Sequence, residues 1–131
     1  MKWFYRLLPR GERGASAVEF ALVVPLLLVL LLGIVEFGRV FNAQLQLTSA
    51  ARESVRVLAI QKQRDPAIST AKLAAPNLNP ALADSNILIP ATPCSGTPDA
   101  TVTITYSVSL ISGLFVKTIP LQAKAVMRCG G

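Results

Sequence analysis

The 131-residue chain contains no histidine. That single absence excludes histidine-based catalytic triads, histidine metal sites and imidazole acid–base chemistry. Charge is also scarce, at 15% of residues against 52% hydrophobic, which is too apolar for an ordinary soluble domain. Cysteine occurs only twice, as Cys94 and Cys129, and the two are too far apart in sequence to form a CxxC redox motif. Asp65, Asp84 and Asp99 fall in unrelated segments, and no nucleophile–base pair can be named, so the sequence points away from an enzyme, a cofactor or a small-molecule substrate.

What is present is grease and an uneven positive charge. Mean hydropathy is +0.51 and the net charge is +6. Lys2, Arg6, Arg10 and Arg13 stand against Glu12 alone, so about half of the net charge sits in the first fourteen residues. This is the pattern of a membrane-targeting end; a nucleic-acid surface would need basic residues clustered on a folded face. Arg52 and Arg56, with Glu53 between them, read as a solvated helix face, and no nucleic-acid partner is expected.

Residues 20–35 carry no charge, and with their flanks they define a candidate membrane span over 15–38. A helix needs about 20 apolar residues to cross a hydrocarbon core of about 30 Å. The span meets that requirement when Glu19 and Glu36 sit near its two ends. Four basic residues precede the span and only Arg39 lies at its downstream end, so the N-terminus is expected inside and the rest exported. An ordinary cleaved secretory signal would need a small-x-small site after the run, and Gly33-Ile-Val-Glu-Phe-Gly-Arg39 makes a poor one.

Beyond Arg39 the apolar residues Val40, Leu47, Ala51, Val55 and Leu58 fall on one helical stripe, and no Gly or Pro intervenes before Arg64. One helix from about Ala15 to about Lys62 is therefore expected, roughly 70 Å long. Asp65-Pro66 is expected to end it and to cap a short second helix over 67–75, stopped by Pro76. Residues 77–98 read as loop, with Ile87-Leu-Ile89 as a possible edge strand before Pro90. Residues 100–109 alternate strictly, with Val102, Ile104, Tyr106 and Val108 on one face. After a turn at Ser112-Gly113, Thr118–Arg128 reads as a second strand with Ile119, Leu121, Ala123, Ala125 and Met127 on its apolar face. The expected fold is α+β, a long helix packed on a small antiparallel sheet. The expected parts are a basic leader (1–14), the span (15–38), an amphipathic helix extension (39–64) and an exported domain (65–131). About 70 exported residues make a thin core. In an exported domain a Cys94–Cys129 disulfide is favoured as reinforcement, the alternatives being two free thiols or an incomplete metal site.

The junction Arg13-Gly-Ala-Ser-Ala-Val-Glu-Phe20 ends a basic leader in glycine and sets a lone carboxylate five residues later in an apolar helix. It resembles the processing site of type IV pilins and pseudopilins. More narrowly, Glu12-Arg-Gly-Ala-Ser-Ala-Val-Glu-Phe-Ala-Leu-Val-Val-Pro-Leu-Leu27, Gly33-Ile-Val-Glu-Phe-Gly-Arg-Val-Phe41 and Ala50-Ala-Arg-Glu-Ser-Val-Arg56 resemble the TadE-like family, minor pilin-like proteins of tight-adherence (Flp) pilus systems. The resemblance implies cleavage by a prepilin peptidase after Gly14, leaving Ala15 as the new N-terminus in the bacterial inner membrane. It makes Glu19 the carboxylate held within the membrane, and it implies other pilin-like and pilus-assembly proteins as partners.

Independently of that resemblance, a carboxylate in hydrocarbon is costly unless paired, and cleavage would create an amine at Ala15 one helical turn from Glu19. The plainer reading is a first-turn Glu favoured by the helix dipole. Phe20 and Pro25 belong to the packing segment, and Pro25 cannot bond the Ala21 carbonyl, which loosens the helix; a tolerated membrane proline is the bland alternative. Glu36 and Arg39, at i,i+3 spacing, form an interfacial ion pair on the simplest reading and a partner contact on the other. Gly33 and Gly38 are five apart and make no GxxxG face. Two other classes remain: a single-pass anchor whose exported domain binds a partner unrelated to pili, and a secreted domain released from a signal peptide.

Overall fold

In a computed structural model of the protein, the structure describes residues 12–113 and 116–130. One α-helix, α1, runs over Glu12–Gln61, fifty residues with Pro25 inside it. The chain divides into two compact units, and the boundary falls within α1 between Val35 and Glu36.

In the first unit the described side chains of α1 are apolar and outward-facing nearly throughout, from Val18 to Val35. The most apolar stretch of α1 has a mean hydropathy of 2.8, and the helix is long enough to cross a membrane. The core helix of a soluble protein would bury such side chains. Here none of that stretch is buried, which is compatible with a single-pass membrane anchor.

The second unit contains the remainder of α1, a helix α2 (Arg64–Ala74), a 3-10 turn (Asp84–Asn86) and strands β1 (Ile87–Leu88), β2 (Asp99–Ser109) and β3 (Thr118–Arg128). The sheet has the order β1-β2-β3 and is antiparallel throughout. The expected α+β arrangement is present. Leu47, Ala51, Val55 and Leu58 of the helical stripe are buried, with Val40 half-buried at their margin, and they share one core with Val102, Ile104, Tyr106 and Val108 of β2. Register aligns the two apolar faces, opposing Ile104 to Ala123 and Tyr106 to Leu121. Burial is nevertheless uneven. In β3 only Ala123 is buried, while Ile119, Leu121 and Ala125 are half-covered and Met127 is open. The reason is position: β2 is central, and β3 is an edge strand, where Pro120 is also tolerated.

At the junction of the two helices α1 ends within a residue of expectation, while the start and cap of α2 differ from it. α1 ends at Gln61, and Lys62 adopts a left-handed conformation (φ 56°) while its N–H still bonds the Leu58 carbonyl at 2.9 Å. Continued helix would drive the Pro66 ring into the Lys62 carbonyl four residues back, so the chain leaves the helical path at that residue. α2 then starts at Arg64, and its N-cap is Gln63 in extended conformation, with no side-chain cap bond; Asp65 lies in the first turn instead of capping it. Ser54 donates a 2.8 Å hydrogen bond to the Ala67 carbonyl and fastens α2 to α1.

The loop region is tied down at several points. Leu78, Leu82, Ile87 and Ile89 are buried in the core. Tyr106 Oη donates to the Pro80 carbonyl at 2.7 Å, and Lys72 pairs with Asp84. A Cys94–Cys129 disulfide, with Cα atoms 5.7 Å apart, joins the loop to the end of β3, as the exported-domain reading expected. Beside it, Cys129 N–H bonds the Pro98 carbonyl and Gly130 N–H bonds the Ala59 carbonyl at 3.0 Å, so the sheet's last residues are stapled to α1.

Candidate functional site

Two places carry the residues singled out in the sequence. The first is the start of α1. Gly14, Ala15, Glu19 and Phe20 are all solvent-facing on its opening turns, and Pro25 lies one and a half turns further on. The leader residues Lys2, Trp3, Phe4, Tyr5, Arg6 and Arg10 lie outside the described residues. A Cβ built on Gly14 meets nothing within 4 Å, so this chain's own packing does not demand glycine there. Ala15 and Glu19 are four residues apart, about 6 Å along the axis and on one face. The ion pairs among the described residues are Glu36–Arg39 and Lys72–Asp84, and neither involves Glu19.

The second place is the first turn of the globular unit. Glu36 is 8% exposed, unusual burial for a carboxylate. Its Oε1 accepts a 2.6 Å hydrogen bond from the backbone N–H of Ser112, in the connection between β2 and β3. Its Oε2 is buried without a hydrogen bond and faces the Arg39 guanidinium at 3.7 Å. Arg39 Nη1 also reaches the Ser109 carbonyl at 3.4 Å, a long contact. Glu36 and Arg39 thus face each other as an ion pair, which is half of a larger arrangement that holds the strand connection against α1.

Sequence reasoning missed Ser112 as the partner of Glu36. A backbone donor 76 residues away leaves no side-chain signature. The only hint was the Ser112-Gly113 turn signal, and Gly113 does take a positive φ of 54°. Further along α1, Gln44 Nε2 donates to the Gln122 carbonyl of β3 at 3.0 Å. Among the described residues no group of three or more Cys, Asp or Glu side chains converges as a metal site. Burial of Tyr106 pushes its hydroxyl pKa above the ordinary value of 10.0. Its hydrogen bond to Pro80 gives it a structural part, closing the loop over β2.

The family model of TadE-like proteins matches residues 14–56. The match opens on Gly14 and takes in Glu19, Pro25, Glu36 and Arg39, and it ends before α2 and the sheet, covering about a third of the chain. The match falls on the segment whose motifs resemble that family. No curated protein and no solved structure matches the chain.

Proposed function

We propose that the protein is a pilin-like subunit that takes part in assembling a tight-adherence (Flp) pilus. The observation that carries this reading is the TadE-like match over residues 14–56, opening on the glycine that ends the basic leader. The exposed apolar surface of α1 supports it, because such a helix is suited to lipid and to other apolar helices. In this reading the chain is a single-pass protein of a bacterial inner membrane, its N-terminus cytoplasmic and its α+β unit outside. A prepilin peptidase cuts between Gly14 and Ala15. That peptide bond lies within α1, so the first turn must open to be cut, and glycine weakens a helix by about 0.5–1 kcal/mol relative to alanine. The new Ala15 amine and Glu19 then offer complementary charges within the apolar phase, and α1 packs on the helices of other pilin-like proteins. The subunit catalyses nothing and needs no cofactor; the chemistry belongs to the peptidase.

The test is the mass of the mature protein recovered from a producing bacterium. A chain starting at Ala15 is the expected result. Retention of Met1 would leave a plain membrane anchor with an exported binding domain, and a start past Val35 would leave a secreted domain.

A further inference from the structure

The end of the globular unit that holds Glu36 has an unusual surface. Strand connections normally carry polar and turn-forming residues, yet Ile111 is 62% exposed and Val116 is 52% exposed in the one joining β2 to β3. On the opening turns of the same unit's helix, Phe37 is 72% exposed and Phe41 is 56% exposed, their rings stacked with centroids 6.4 Å apart. These four apolar side chains belong to the same end of the unit, because Glu36 holds the Ser112 N–H and Arg39 reaches the Ser109 carbonyl. Two cations, Arg39 and the exposed Lys117, share that end, and residues 110–117 contain no acidic side chain.

We propose that this rim, formed by Phe37, Phe41, Ile111 and Val116, sits in the headgroup layer of the bilayer that α1 spans. The proposal rests on reading 15–38 as a membrane span. Glu36 is the first charged residue after the uncharged run, and it marks where hydrocarbon ends. Beyond the hydrocarbon, each headgroup layer is about 5–7 Å deep. Phe37 and Phe41 follow Glu36 by one and five residues, about 1.5 and 7.5 Å along a helix, and so fall within that layer and at its outer edge. Aromatic and aliphatic side chains with neighbouring Lys or Arg are the composition of surfaces that lie at the lipid boundary. Glu36 keeps the connection at the depth of the helix's emergence. The bilayer is thus a second support for the globular unit, which stands on its rim as well as on its helix.

Tryptophan fluorescence of the full chain in phospholipid vesicles tests this. The chain's one tryptophan is Trp3, so Trp3→Phe gives a silent background. Into it are placed, one at a time, Ile111→Trp, Val116→Trp, Leu28→Trp within the span, and Ile60→Trp, which is exposed 24 residues beyond Glu36, about 36 Å along α1. The expected result is blue-shifted emission at 111 and 116, quenched strongly by lipids brominated near the headgroup, with water-like, unquenched emission at 60. Tryptophan at 28 should be quenched by lipids brominated deep in the chains. Quenching at 28 with water-like, unquenched emission at both 111 and 116 overturns the rim, whose apolar side chains then await a protein neighbour. Absence of quenching at 28 overturns the span itself, and the rim with it.

Discussion

The Glu36 carboxylate accepts a 2.6 Å hydrogen bond from the Ser112 N–H, joining the first turn of the globular unit to the β2–β3 connection across 76 residues of chain. The tie closes one end of the unit, and the Cys94–Cys129 bridge and the Gly130–Ala59 bond close the other.

Replacing Glu36 by alanine leaves a partly buried N–H without its acceptor and Arg39 without its counter-charge. A loss of about 1–3 kcal/mol is expected. Glu36→Gln retains an acceptor oxygen and should recover part of it. Urea unfolding of the detergent-solubilised chain measures both; equal stability of Glu36→Ala and the parent would show that the tie contributes nothing.

The disulfide closes a 35-residue separation, for which loop-closure entropy gives about 4 kcal/mol. Cys94→Ser combined with Cys129→Ser should lower the urea midpoint by that equivalent, and reductant should do the same to the parent. A reductant-insensitive midpoint would contradict it.

Tyr106 makes stability fall at alkaline pH. Burial raises its pKa, so the unfolded phenol ionises first, near pH 10, while the folded one keeps its proton. The unfolded state then binds fewer protons, and stability declines as pH rises from about 10 through the higher folded value. Tyr106→Phe should cost about 0.5–1.5 kcal/mol at neutral pH by losing the Pro80 bond, and should flatten the alkaline decline. Thermal unfolding between pH 8 and 11 reads both effects.

At the leader junction two substitutions separate processing from folding. No atom crowds a Cβ at position 14, so Gly14→Ala should keep or slightly raise helicity by circular dichroism while the leader stays attached, as intact mass would show. Glu19→Ala should insert normally and fail in pilus assembly, scored by surface pili. Normal assembly would return Glu19 to simple helix-end electrostatics.

Much of this architecture was legible because it repeats. The uncharged run, the Leu47–Ala51–Val55–Leu58 stripe and the alternation of β2 are periodic signals, and each marks a face that has one place to go. What escaped was aperiodic. The end of α1 near Lys62 was legible from Asp65-Pro66, but the early start of α2 at Arg64, with Gln63 at its N-cap and Asp65 inside the first turn, was not. The shallow burial of β3 depends on strand order, to which its own alternation is blind. The Glu36–Ser112 tie pairs a side chain with a backbone group, which every residue but proline possesses. At the junction the glycine and the carboxylate were visible, because they interrupt a pattern.

Ala50, Ala51 and Ser54 of α1 and Ala67 and Ala71 of α2 are almost completely enclosed, and Ser54 bonds the Ala67 carbonyl across the two helices. Enclosed sites filled by side chains this small have little room for an added methylene. Such a joint resists enlargement far more than it resists loss of bulk. Enlarging any of these five side chains is therefore expected to cost stability.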